Sequence, residues 1–262
     1  PSLIICNPDR PVGRKQVLTA PPVKVWAEEN GIEVWQPESF KDQEAVTEKL
    51  KDFDLFVVVA YNKILPKWLI DIPKHSTLNV HPSLLPLLRG ASPIRSAILA
   101  DMQDQIGVTV MELDEKMDHG PIIAQMPMPV ADEHWPIAGS ELDTALAHLG
   151  GALLADTIPK WISGELTRTE QFHAAATYCP RLDRSIGELA LDPHNLPTGD
   201  SAYQALLRIR AFDGFPGTYF IHNNKRVKIV DARIEKDTLV ITEVIPEGKN
   251  KQSFEQYLQT LS

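Results

Sequence analysis

Short apolar runs alternate with helix-spaced segments over roughly the first 165 residues. Leu3-Ile4-Ile5-Cys6 and Glu33-Val34-Trp35 read as strands. Val23, Trp26 and Ala27 fall at helical spacing, with Gly31 as the terminator. Leu55 to Ala60 is apolar throughout, the pattern of a parallel strand covered on both faces. Ser92-Pro93 places an N-cap before a first-turn proline and opens a helix through Ile98 and Leu99. Ser140 with Asp143 has capping-box spacing, and the helix it starts should stop near Gly164. This alternation predicts a doubly wound α/β fold with a mostly parallel sheet and a site at the carboxyl ends of the strands.

From Thr177 to Gly199 the pattern breaks into prolines, aspartates and turn formers, as in a linker. Beyond it, Tyr203, Leu206, Leu207 and Ile209 predict one helix. Thr218 to Ile221, Val227 to Val230 and Thr238 to Ile241 then predict strands, with a tight turn at Glu235-Lys236-Asp237. No internal repeat or low-complexity tract interrupts the chain.

Candidate chemistry gathers in Asn79-Val80-His81-Pro82-Ser83-Leu84-Leu85-Pro86, which follows the apolar Ser76-Thr77-Leu78. Strand residues two apart point to the same side, so Asn79 and His81 can face one site. The prolines then stop the strand and expose the backbone of a turn. Each residue alone has a structural reading: a satisfied strand-end histidine, an asparagine turn former, an Asx-turn at Asp118 before His119-Gly120. Together they offer an oxyanion donor, a base and an orienting carboxylate, the parts an acyl transfer needs. Ser83 lacks a Gly-x-Ser-x-Gly elbow and is read as a turn residue rather than a nucleophile.

At 262 residues the chain suits one large domain or a domain with a small module. No run approaches the roughly 20 apolar residues of a membrane span, and no signal peptide precedes the first strand, so a cytoplasmic protein is expected. Cys6 and Cys179 read as reduced thiols, and the eight scattered histidines give no metal-ligand spacing, so no metal is expected. The net charge of −9 argues against a general nucleic-acid binder. Its distribution is more telling: Arg10, Arg14, Lys15 and Lys24 stand against Asp9 alone between Asn7 and Lys24. A basic loop on an acidic body suits contact with a phosphate backbone at one place.

These stretches resemble the folate-dependent formyltransferases. Asn79, His81 and Asp118 match the family's Asn, His and Asp. Ser83-Leu84-Leu85-Pro86 matches its folate-site turn, and Arg89-Gly90-Ala91-Ser92-Pro93-Ile94 the segment that follows. Gly107 to Met111 and Asp114 to Gly120 resemble a further family motif. Pro8-Asp9-Arg10-Pro11-Val12-Gly13-Arg14 with Leu18 to Lys24 resembles the loop by which members acting on methionyl-initiator tRNA contact their tRNA. The resemblance implies 10-formyltetrahydrofolate as formyl donor, the Ser83–Pro86 turn as folate contact, and Arg10, Arg14 and Lys15 as tRNA contacts. It also implies a monomeric enzyme with a formyltransferase-type, Rossmann-like catalytic domain over residues 1–176. A linker and a small OB-like β-barrel, carrying Arg210-Ala211-Phe212 and Phe215-Pro216-Gly217, would fill 177–262.

Two departures stand out. The family has a further βα unit, about 30 residues, ahead of the strand that opens this chain. The tight turn at residues 235–237 stands where the barrel would have another strand pair. Rival readings are a transferase acting on an amino sugar nucleotide or a purine intermediate, a formyltetrahydrofolate hydrolase-type domain, and a non-catalytic tRNA- or folate-binding remnant.

Overall fold

The fold is that of a computed structural model, which describes residues 1–13, 15–61 and 63–261. Pro1–Ser76 and Thr77–Ser262 each form a compact unit.

In the first unit, β1 (Leu3–Ile5) is followed by a hairpin of β2 (Arg10–Val12) and β3 (Val17–Thr19). Then come α1 (Pro22–Glu29), β4 (Glu33–Trp35), α2 (Gln43–Leu50), β5 (Phe56–Val59) and α3 (Lys67–Ile70). β1 and β4 run parallel, as a helical crossover between them requires. Val46, Leu50 and Leu69 form the core, packed by Leu3, Ile5, Trp35 and Phe56. The two-sided burial expected of β5 is not found: Phe56 and Val58 turn inward, while Val57 and Val59 are 39% and 58% exposed.

The second unit opens with β6 (Thr77–His81), β7 (Arg89–Gly90) and α4 (Pro93–Leu99). β8 (Gly107–Glu112), β9 (Ile122–Pro127) and α5 (Gly139–Ser163) follow, with α5 packed on β8 and β9. The α/β architecture holds, but β6, β8 and β9 pair antiparallel. Consecutive strands β8 and β9 are joined without an intervening helix, which permits the antiparallel return. α5 ends at Gly164 as expected, yet it starts at Gly139 without a capping box. Ser140 instead donates to Asp213, and Asp143 pairs with Arg95.

β10 (Tyr178–Cys179) pairs parallel with β7. α6 (Gly199–Ala211) then packs on an antiparallel sheet of β11 (Thr218–His222), β12 (Lys225–Glu235), β13 (Thr238–Pro246) and β14 (Gln252–Ser253), followed by α7 (Phe254–Gln259). Leu206, Ile209, Phe220, Val227, Ile229, Ile241, Phe254 and Tyr257 make its core. The sheet does not close into the expected barrel. β12 and β13 are joined at Lys236-Asp237, both at positive φ, the two-residue hairpin turn that matches strand twist. That tight return leaves no chain for another strand pair.

Candidate active site

Everything at this site comes from the second unit. β6 presents Asn79 and His81 on one side, opposite Met111 and Thr109 of β8. Both are buried, Asn79 at 9% and His81 at 4% exposure. Among the described residues nothing bonds the Asn79 carboxamide, and its polar atoms are not sealed in. Its N–H donors are therefore uncommitted.

His81 is tied on one edge. Its Nε2 lies 3.0 Å from the Leu88 carbonyl oxygen. A carbonyl only accepts, so Nε2 carries the proton and neutral His81 has its lone pair on Nδ1. That nitrogen faces Asp118 Oδ1 at 3.6 Å. The gap is too long for a resting hydrogen bond. The Leu88 carbonyl thus sets the tautomer.

Asp118 is held in turn. Its Oδ2 accepts from Gly90 N at 2.7 Å, and its main chain sits at φ 48. Gly90 has φ 124, and a Cβ there would fall 2.3 Å from the Cys179 carbonyl oxygen. Only glycine lets the chain bring its N–H to Asp118 at that point. Gly120 closes the same loop, where a Cβ would lie 2.0 Å from the Glu112 carbonyl oxygen. Gln171 Nε2 donates to the carbonyls of Asp118 and Gly120, at 3.0 and 2.7 Å. Arg89, 1% exposed, donates to Gln171 Oε1 and to His173 Nδ1. His173 stacks on His119 with ring centres 4.0 Å apart, and His119 bonds Asp114 at 2.6 Å.

The turn after β6 is tightly tied. Ser83 Oγ donates to the Leu87 carbonyl at 2.6 Å. Thr109 Oγ1 donates to the Ser83 carbonyl at 2.7 Å and accepts from Leu85 N at 3.2 Å. Gln125 donates to the Leu85 carbonyl at 2.8 Å. Leu85 is buried, with its N–H and its carbonyl each already hydrogen-bonded. Leu84 and Pro86 remain half-buried and keep apolar surface.

Arg10 and Lys15 lie on the hairpin of the first unit, both exposed, and neither forms an ion pair among the described residues. Asp9 of the same segment is taken: Lys24 bonds it at 2.8 Å and, with Gln36, holds its carboxyl below the usual range. Arg14 lies outside the described residues. Among the described residues no group of three or more His, Cys, Asp or Glu is placed to hold a metal, and no helix is long and apolar enough to cross a membrane.

Sequence reasoning missed Leu88, Thr109, Gln171 and the bonding of Arg89. Leu88 acts through its main chain, which no side-chain pattern signals. Arg89 was visible only as a member of a motif, and Gln171 had no signal at all.

Residues 2–157 match the family described as formyl transferase, and residues 199–238 match its C-terminal domain. The chain is 43% identical over 228 residues to a methionyl-tRNA formyltransferase of Halalkalibacterium halodurans, spanning 86% of this chain and 68% of that protein. The fold is similar to that of a solved methionyl-tRNA formyltransferase from Clostridium thermocellum, with a TM-score of 0.60 at 18% identity over 85% of this chain and 91% of that one. It is also similar to HypX from Aquifex aeolicus, solved in complex with tetrahydrofolic acid, with a TM-score of 0.63 at 17% identity over 88% of this chain and 43% of that one. At such identities the two structures speak for the fold alone.

Proposed function

The chain belongs to the methionyl-tRNA formyltransferase family, and from that premise we propose that it transfers the formyl group of 10-formyltetrahydrofolate to the amino group of methionyl-initiator tRNA, for translation initiation. The observation that carries the reading is the uncommitted Asn79 carboxamide on the same strand face as His81, whose Nδ1 looks toward Asp118. The formyl donor supplies an activated carbonyl carbon. Transfer exchanges one C–N bond for another: the amine nitrogen bonds the formyl carbon, and the bond from that carbon to folate breaks. Asn79 donates to the formyl oxygen as negative charge builds there. His81 Nδ1 accepts the proton that the amine loses and returns it to the leaving folate nitrogen. Asp118 stabilises the imidazolium in the interval. No side-chain nucleophile is required.

Leu84 and Pro86 offer apolar surface to the folate, with Ser83 and Leu85 shaping the turn from within. Arg10, Arg14 and Lys15 meet tRNA phosphate. Residues 1–176 act as the catalytic segment and 177–262 as linker and C-terminal module, in a cytoplasmic monomer.

The test is to offer formylfolate with charged initiator tRNA, with an amino sugar nucleotide, or with water alone. Formyl-methionyl-tRNA should form and the other two should react far more slowly. Preferential formylation of the sugar nucleotide, or hydrolysis indifferent to tRNA, would overturn the assignment.

A further inference from the structure

We propose that Gln171 and the buried guanidinium of Arg89 are positioning residues that set the Asp118 carboxylate against His81. The proposal rests on the catalytic reading of Asp118.

Asp118 is a non-glycine residue in the left-handed region, with φ 48, and such a backbone persists only where its surroundings determine it. Gln171 supplies that determination. Its Nε2 spans the carbonyls of Asp118 and Gly120, at 3.0 and 2.7 Å, on either side of the backbone that turns there. The amide cannot be reversed. Its oxygen must face Arg89, which has only donors to give, from Nε at 3.2 Å and from a terminal nitrogen at 2.7 Å. The nitrogen is thereby aimed at two groups that only accept.

Arg89 is itself unusual, a guanidinium 1% exposed whose hydrogen-bond partners are the neutral Gln171 and the imidazole of His173. No carboxylate pairs with it among the described residues. A buried cation is retained against a large desolvation penalty, so its place is better explained by what it orients than by stability. The same dipeptide grips Asp118 twice. Gly90 N holds the carboxylate oxygen that turns away from His81, at 2.7 Å, while the Arg89 side chain holds the main chain through Gln171. With one oxygen fixed and the backbone fixed, Oδ1 is left at 3.6 Å from Nδ1 of His81.

The test uses the full chain with Gln171→Glu, which keeps an acceptor for Arg89 but faces two carbonyls with no donor. Gln171→Met is measured beside it, because it removes the clamp without adding charge. Asp118→Asn is the reference. Turnover should fall about tenfold to hundredfold in both Gln171 variants, with KM for formylfolate and for tRNA within about twofold of the parent. The ring nitrogen resonances of His81, read by NMR without turnover, should move in the direction seen in Asp118→Asn. That second readout separates this proposal from the assigned reaction, since it needs no substrate. Turnover within about threefold of the parent, or His81 resonances that stay put in a folded Gln171 variant, would overturn the proposal. So would failure of both Gln171 variants to fold, which would make the clamp a folding element, and so would an Asp118→Asn variant that leaves the His81 resonances unmoved.

Discussion

His81 and Leu88 are joined across the intervening turn by a 3.0 Å contact from imidazole Nε2 to main-chain oxygen. The bond fixes which nitrogen carries the resting proton and leaves the other as the only basic atom on the ring. The basic edge then faces Asp118 Oδ1 at 3.6 Å.

Asp118→Asn keeps the shape of the loop and removes the charge. Turnover should fall by about two orders of magnitude or more, with little change in either KM. Steady-state kinetics across pH decide the matter. A variant with parental turnover and an unchanged pH profile would return Asp118 to the role of a turn residue.

Asn79→Ala removes an oxyanion donor that bonds nothing else among the described residues. The expected loss is about 10²–10³ in turnover, or about 3–4 kcal/mol. Thermal unfolding should hardly change, because no bond within the fold is broken. A large drop in melting temperature with modest loss of rate would instead mark Asn79 as structural.

His173 gives the fold a sensitivity to acid. Desolvation, then His119 and then Arg89, hold its imidazole below the ordinary range. The unfolded chain therefore takes up that proton at higher pH than the folded one. The associated stability is complete above about pH 6.5 and is lost as pH falls through the folded value. His173→Gln keeps an oxygen to accept from Arg89 but does not titrate. Between about pH 7.5 and about pH 5.5, the melting temperature of the parent should fall further than that of the variant. Parallel curves would show that His173 carries no linked proton.

The hairpin is tested by salt. Arg10→Ala and Lys15→Ala should each weaken use of charged tRNA and reduce its salt slope by about one contact, leaving KM for formylfolate unchanged. Identical slopes in parent and variants would remove both residues from the tRNA surface.

What the sequence made legible was local. Strand alternation put Asn79 and His81 on one side, and the turn at Lys236-Asp237 emerged where the pattern placed it. Uniform apolarity from Leu55 to Ala60 did not mean two covered faces, because composition alone does not say which side of a strand finds a partner. Ser140 and Asp143 had the spacing of a capping box, but both were drawn to distant partners, Asp213 and Arg95. Thr109 and Gln171 reach the site from elsewhere in the chain, through hydrogen bonds that carry no periodic signature.

The clamp on Asp118 also sets a schedule. Arg89 bonds residues 82 and 84 positions further along, at Gln171 and His173. Leu88 N reaches Thr177, 89 positions on. The strands that display Asn79 and His81 involve much shorter separations, so they can pair while the chain is still being made. In the proposed clamp the acid partner of the base is held also by residues beyond 170, contacts of long sequence separation whose loop-closure cost slows folding. The histidine is thus held by a partner 7 positions away, whereas part of the hold on its carboxylate comes from 53 positions further along the chain.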